Sequence, residues 1–317
     1  MLPLVERVLQ RDERAIARLA TLIERQDEAG RAAAVAVYAH SGTAHRVGIT
    51  GPPGSGKSTI ANALVGQFRR AGRRVGVIAI DPSSPVAGGA ALGDRIRMVE
   101  RFNDPDVFIR SMATRGHGGG LAPATHSLAH LLDAAGFDPV LIETVGVGQG
   151  ELAIGRAAHT TVVVQVPGLG DHIQAMKAGL LDIADIVVVN KADLPGAAKA
   201  ALDLQRELAS SARVDDRTPV ILVSAQDGTG VAALVEAIGK HRDDLRRRGV
   251  YDERVRQMAR AEMDGLMEQT VVRDLRGHRW KDPLLAQLLD ALAERRTDPA
   301  SAARVLLESY RSASSVR

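Results

Sequence analysis

The stretch Gly51-Pro52-Pro53-Gly54-Ser55-Gly56-Lys57-Ser58-Thr59 constrains the fold of this chain more than any other. It satisfies G-x-x-x-x-G-K-[ST]. The apolar run Val47-Gly48-Ile49-Thr50 precedes it, and Ile60, Ala61, Ala63, Leu64 and Val65 follow at helix-compatible spacing. A strand ending in a glycine loop that opens a helix makes a cradle for phosphate. Glycines let backbone N–H groups turn inward around an anion, where a Cβ would obstruct them. Lys57 brings a mobile positive charge to the outer phosphates, and the Ser58 hydroxyl is placed to ligate Mg²⁺. A glycine-rich turn before an ordinary helix would match the loop but not its flanks. The stretch calls for a nucleoside triphosphate and leaves open which one.

From Arg46 onward the pattern fits that reading, because strands alternate with helices. The apolar runs are Val47–Thr50, Val75–Ile80, Val107–Ile109, Val140–Ile142, Thr161–Val166, Ile186–Val189 and Val220–Val223. Several are continuous rather than alternating, as expected of strands buried on both faces of a largely parallel sheet. Helical segments between most of them imply right-handed crossovers and a three-layer α/β fold of the P-loop NTPase kind. Ligands in such sheets bind at the carboxyl ends of the strands, so the loops there are the places to look for chemistry.

Residues 1–45 read as a helical extension. Val5, Val8 and Leu9, then Ile16, Leu19, Ala20 and Ile23, recur at three- and four-residue intervals. A second helix is expected from Gly30 to about His40, ended by Ser41-Gly42. Residues 46–240 form the nucleotide domain. Beyond the charged run Lys240–Arg248, residues 241–317 read as a helical arm. There Met258, Met263, Leu266 and Met267 form one apolar stripe, and Leu284, Leu285, Leu288, Leu289 and Leu292 form another. Such stripes are packing surfaces, and a tail added after a complete nucleotide domain often docks on a second subunit, which predicts a homodimer.

Composition excludes several classes. With no cysteine among 317 residues, disulfides, thiolate metal sites and a cysteine nucleophile are ruled out. The 41 Lys and Arg stand against 38 Asp and Glu and are interleaved with them, without a basic block bearing aromatic stacking residues. No nucleic-acid role is expected. The N-terminus lacks the order of a signal peptide and no apolar run approaches membrane-spanning length, so no membrane is expected and a cytoplasmic protein is the simplest reading. His126 and His130 are four residues apart, but no Glu accompanies them as in H-E-x-x-H, and an ordinary helix accounts for them.

The loops after the strands carry the remaining signals. After Val75–Ile80 comes Asp81-Pro82-Ser83-Ser84-Pro85, then Leu92-Gly93-Asp94. After Val107–Ile109 comes the polar, glycine-rich run from Arg110 to Gly120, including Thr114, Arg115 and His117. Both are long, polar and glycine-rich, as functional loops are, and a solvated connection fits them equally well. After Val140–Ile142 comes Glu143-Thr144-Val145-Gly146-Val147-Gly148-Gln149. An acid ending a buried strand is where P-loop proteins hold Mg²⁺, and Gly146 is placed for its N–H to meet a γ-phosphate. The next strand ends at Pro167-Gly168-Leu169-Gly170-Asp171, which breaks regular structure. Ile186–Val189 ends at Asn190-Lys191-Ala192-Asp193, the N-K-x-D pattern. The Asp193 carboxylate accepts from N1–H and the exocyclic amine of guanine, whereas adenine would leave it unpaired. Asn190 braces the loops, the Lys191 stem covers the base plane, and Ser224-Ala225-Gln226 offers a backbone N–H to guanine O6. The ligand is therefore expected to be GTP or GDP.

Together these motifs resemble the MeaB/ArgK GTPases, a family that includes the human methylmalonic aciduria type A protein. The resemblance runs from Val47 through the Ser224 loop, and the helical ends fit as well. It implies a homodimeric G-protein chaperone for an adenosylcobalamin-dependent acyl-CoA mutase, usually methylmalonyl-CoA mutase. GTP hydrolysis would be coupled to cofactor delivery and removal of damaged cofactor. It also implies that Lys57 and Ser58 serve phosphate and Mg²⁺, and that Asp81, Asp94 and Glu143 form an acidic set around the metal and attacking water. Pro167, Gly168, Gly170, Asp171 and Lys177 match the family's additional switch. Pro53 and Ser55 depart from the residues usual in the family's loop, and neither side chain is needed for the cradle. An older label in the family is a kinase acting in arginine and ornithine transport. Metal-insertion GTPases share the fold but carry Cys- or His-rich segments missing here.

Overall fold

The computed structural model of the protein describes residues 2–81, 104–113, 121, 124–144, 146, 150–168, 179–210, 218–281 and 284–314. All seven apolar runs are strands: β1 Arg46–Thr50, β2 Val75–Asp81, β3 Val107–Ala113, β4 Val140–Glu143, β5 Thr160–Gln165, β6 Ile186–Asn190 and β7 Val220–Val223. They form one sheet in the order β3-β2-β4-β1-β5-β6-β7, and every pairing is parallel. The central strand β1 is buried along its whole length. Its Ile49 lies in register with Glu143 of β4 on one side and Val162 of β5 on the other. The three-layer α/β expectation therefore holds.

Two of the expected boundaries move. β3 continues through Arg110, Ser111, Met112 and Ala113, a stretch expected to be loop. Its partners there are Ile78 to Asp81 of β2. Arg110 is tolerated in the strand because its guanidinium pairs with both carboxylate oxygens of Glu24 at 2.5 and 2.7 Å. Glu24 lies on α2, Glu13–Arg25, which follows α1, Leu2–Leu9. The break between these helices was not marked by hydrophobic spacing. Arg11 takes a left-handed conformation (φ 67°), and the Asp12 side chain caps α2 by accepting from the Ala15 N–H at 3.0 Å.

Helix α3, Glu28–Tyr38, completes the amino-terminal layer. Val8, Ile16, Leu19, Ala33 and Val37 share one core with Ile78 and Ile142 of the sheet and with Leu128 and Leu132 of α5, Thr125–Ala134. On the other face, α4, Lys57–Arg70, packs Ile60, Leu64 and Val65 against Val47, Ile49 and Val188. At about 25 cal/mol per Å², each fully buried Ile, Leu or Val contributes roughly 1.5–3 kcal/mol, and the two faces hold most such side chains. The entry into β1 is fixed by one carboxylate. Asp133 of α5 accepts from the N–H groups of Gly42, Thr43 and Ala44 and from the Thr43 hydroxyl.

The amino ends of the strands carry a polar cluster. His45 Nε2 lies 2.8 Å from Thr160 Oγ1, which is 2.8 Å from His241 Nδ1. His241 stands on α8, Val231–Arg247, which follows α7, Ala197–Ser210. The His159 ring stacks between His45 and Tyr251, and Arg254 pairs with Asp185 at 2.8 Å. Burial drives both imidazoles toward the neutral form, His45 to a pKa of about 2 and His159 to about 3. His130, one of the two spaced histidines, sits against Ser41 Oγ at 2.7 Å and the Arg46 guanidinium at 2.9 Å.

The chain forms two compact units, Met1–Ala259 and Arg260–Arg317. The methionine stripe is not uniform. Met258 is buried in the first unit, while Met263, Leu266 and Met267 are exposed on α9, Tyr251–Lys281. In the second unit, α10, Leu284–Ala293, has no fully buried residue.

Candidate nucleotide site

Strand β1 ends at Thr50 and delivers the loop to α4 through glycines that no other residue could replace. Gly51 takes φ +141°, and a Cβ there would lie 2.2 Å from the Val164 carbonyl oxygen. Gly56 takes φ +87°, and a Cβ there would lie 2.3 Å from Asn190 Nδ2. Because Gly56 is also the residue that caps α4, the helix begins with no side chain bonded to its first N–H groups. Those donors and the positive end of the helix dipole remain for an anion. Lys57 is only 7% exposed, and its ammonium donates to the carbonyls of Gly51 at 2.8 Å and Pro52 at 3.1 Å.

Glu143 closes β4 and is buried. The Ser58 hydroxyl donates to its Oε1 at 2.6 Å. Next to it, Thr144 N–H bonds to the Ile49 carbonyl at 3.0 Å, which fixes this loop to the end of β1. Gly146 follows with φ +89°. A Cβ there would meet Lys57 Nζ at 2.3 Å and the Gly51 carbonyl oxygen at 2.8 Å, so this backbone must pass close to the ammonium. A hydroxyl and a carboxylate within hydrogen-bond distance, beside a phosphate cradle, are the hard oxygen donors that Mg²⁺ takes. The residues present fit the metal. Asp81 closes β2 alongside this loop, although its side chain lies outside the described residues, as does Asp94.

The base-side loop is physically tied to the phosphate loop. Asn190, at the end of β6, is 3% exposed and uses both ends of its amide. Its Nδ2 donates to the Ser55 carbonyl at 2.8 Å, and its Oδ1 accepts from the Ala225 N–H at 3.2 Å. One side chain thus links Pro53-Gly54-Ser55-Gly56 to Ser224-Ala225-Gln226. Lys191 takes a left-handed conformation (φ 57°), and both it and Asp193 are exposed. Ser224 is buried and bridges to Thr229, whose N–H donates to Asp227 at 2.8 Å. That bond, with others to Thr229 and Ser224, holds the Asp227 carboxyl below its ordinary range. Pro167 and Gly168 make the turn after β5, with Gly168 at φ +79°. Gly170, Asp171 and Lys177 lie outside the described residues, as do Arg115 and His117.

Sequence reasoning passed over one buried acid that follows the Glu143 loop. Glu151, in the short helix α6 Gly150–Ala153, is 3% exposed. Burial pushes its carboxyl pKa up, opposed by the nearby charge of Lys57. Its one sequence signal was a lone acid ahead of the apolar run Leu152-Ala153-Ile154.

The family model of the methylmalonyl-CoA mutase-associated GTPase MeaB matches residues 16–279 of this chain. A putative GTPase of Pyrococcus horikoshii is 43% identical over 311 residues, covering 96% of this chain and 96% of its own. The mitochondrial methylmalonic aciduria type A homolog of Mus musculus is 32% identical over 278 residues, 84% of this chain and 66% of that protein. A crystal structure of an LAO/AO transport system kinase superposes with a TM-score of 0.72 at 26% identity, over 98% of this chain and 97% of that one. With its phosphate loop bonded to its base loop, and a family model that runs through both, the chain belongs to the MeaB family of P-loop GTPases.

Proposed function

We propose that this GTPase acts as a cytoplasmic G-protein chaperone on an adenosylcobalamin-dependent acyl-CoA mutase, methylmalonyl-CoA mutase being the first candidate. GTP hydrolysis would gate loading, protection or reactivation of the mutase's cofactor. The observation that carries the reading is the match, over residues 16–279, to a family named for its association with that mutase.

In this reading the chain works by position and charge, since phosphoryl transfer asks little covalent chemistry of the protein. The loop carbonyls of Gly51 and Pro52 hold Lys57 at the cradle, from which it turns to the β- and γ-phosphates. The N–H groups opening α4 take the remaining phosphate oxygens, with Thr59 in the first turn. Ser58 and Glu143 would hold Mg²⁺, with Asp81 and Asp94 as further carboxylates, and the ion would neutralise phosphate charge. Gly146 offers its N–H toward the γ-phosphate. Asp193 reads guanine, the Lys191 stem covers the base, and the Ser224–Gln226 loop meets O6. The segment from Pro167 to Lys177 would serve as the switch.

Exposed Met263, Leu266 and Met267, with the leucine face of α10, support a homodimer built through residues 241–317. Light scattering at micromolar concentration should return twice the chain mass. The partner is tested by capture from native extract with the protein loaded with a nonhydrolysable GTP analogue. Recovery of an acyl-CoA mutase that also accelerates GTP hydrolysis is the expected result. Rapid hydrolysis by the protein alone, unchanged by the mutase, would refute the switch. Free phosphate rather than a phosphorylated acceptor separates this reading from a transport kinase.

A further inference from the structure

Strand β1 ends on a hydroxyl, and so does the residue that follows β4. Thr50 is fully buried and Thr144 is 2% exposed. Ile49 and Glu143 are in register, so the next residues, Thr50 and Thr144, stand side by side on the face opposite Glu143. The Thr144 hydroxyl donates to Thr50 Oγ1 at 3.0 Å, with the Ile49 carbonyl farther off at 3.4 Å. The Thr144 N–H bonds to that same carbonyl at 3.0 Å.

Folding alone does not call for this pair. β1 and β4 are already paired from Arg46 with Val140 to Ile49 with Glu143. Valine has nearly the shape of threonine, and replacing both partners of a buried hydrogen bond by apolar groups of the same shape can be nearly neutral for stability. What the pair supplies is direction. Thr144 is where the chain leaves the sheet, and its N–H and hydroxyl reach consecutive residues of β1. A single bond would leave the exit free to turn about it, whereas the two together fix it. Two residues on, Gly146 passes so close to the phosphate loop that a Cβ there would lie 2.3 Å from Lys57 Nζ and 2.8 Å from the Gly51 carbonyl oxygen. Thr50 is joined directly to Gly51, so the hydroxyl pair ties the two loops at their roots.

We propose that Thr144 is a positioning residue that aims the Gly146 N–H at the γ-phosphate, and that its hydroxyl bond to Thr50 thereby favours GTP over GDP. This rests on the assignment of Gly146 to that phosphate. GDP ends at the β-phosphate and makes no use of Gly146. Glu143, held in β4 by its register with Ile49 and bonded to Ser58, stays in place when the hydroxyl is lost. Losing the tie therefore weakens the triphosphate and spares the diphosphate.

The test is the pair of dissociation constants for GDP and a nonhydrolysable GTP analogue in full-length protein with Mg²⁺. Thr144→Val keeps the branched shape and removes the hydroxyl. It should weaken the analogue about fivefold, the scale of one hydrogen bond, and change GDP by less than about twofold. Thr144→Ser keeps the hydroxyl and should keep the parent's ratio. A residue that merely supports the fold would weaken both nucleotides or neither, and either result overturns the inference. A Ser variant that shifts the ratio as far as Val does also overturns it. If Thr144→Val alone does not fold, the double variant Thr50→Val, Thr144→Val leaves neither hydroxyl buried without its partner. It should show the same shift, and an unshifted ratio there overturns the inference too. Gly146→Ala, measured in parallel, separates the two levels. If it binds the analogue like the parent, the γ-phosphate assignment itself is wrong and the inference falls with it. If it weakens the analogue, the ratio in the threonine variants decides.

Discussion

Replacing Asn190 by alanine should damage the architecture of the site before it damages recognition of the base. The side chain makes two bonds, to the Ser55 carbonyl at 2.8 Å and from the Ala225 N–H at 3.2 Å, and is 3% exposed. Truncation removes both bonds and leaves a carbonyl and an N–H without their partner. A buried polar group left unsatisfied costs about 1–3 kcal/mol. The two together should lower folding stability by about 2–4 kcal/mol, near the lower end because Ala225 is only partly buried. Urea unfolding of the nucleotide-free protein measures this directly as a lower midpoint at unchanged slope. Titration with GTP and ATP gives the second half: affinity for both should fall together, because the phosphate loop loses its support. A loss below about 1 kcal/mol, with GTP alone weakened, would refute the bracing argument and make Asn190 a base contact.

Asp193→Asn should do the opposite. The residue is exposed, so unfolding should be unchanged, while the GTP-over-ATP ratio falls by roughly 10² or more, the scale on which a mispaired polar contact is rejected. Unchanged selectivity would refute the base assignment. Lys57→Ala should abolish nucleotide binding at concentrations that saturate the parent protein, by isothermal titration. Stability should also depend on pH through the amino-end cluster. His45 and His159 are held near pKa 2 and 3 in the fold, against about 6.5 when unfolded. Below pH 6.5 the unfolded chain therefore binds more protons, and stability drops as pH falls toward 3. Two such groups contribute a slope of up to about 2.7 kcal/mol per pH unit. His159→Gln should roughly halve that part of the slope between pH 6 and 4, and an unchanged slope would refute it.

Much of the architecture was legible because buried parallel strands write themselves as unbroken apolar runs. β1, β4, β5 and β6 are buried along their whole length, and all were found within a residue or two. The end of β3 was not, because Arg110 and Ser111 look like loop. What keeps Arg110 in a strand is Glu24, 86 residues earlier, and no local pattern carries that pairing. The break at Arg11 depended on one capping aspartate rather than on hydrophobic spacing. Within the candidate site, the Gly51–Thr59 and Asn190–Asp193 motifs could be singled out because each is a run of consecutive residues. The burial of Glu151 could not be, since the fold rather than any local pattern sets it. The methionine stripe looked continuous in sequence, yet Met258 and Met263 end up in different solvent environments.

The bond from Asn190 to Ser55 spans 135 residues of chain. On a ribosome, the phosphate loop therefore emerges long before the side chain that steadies it. At about 5–20 residues per second, that interval lasts roughly 7–27 seconds. During it, β1 and α4 can form, but the Asn190 side chain that bonds the Ser55 carbonyl has not yet been made. Nucleotide would first be held tightly only as β6 docks against β5, so ligand capture should mark a late milestone of synthesis rather than an early one.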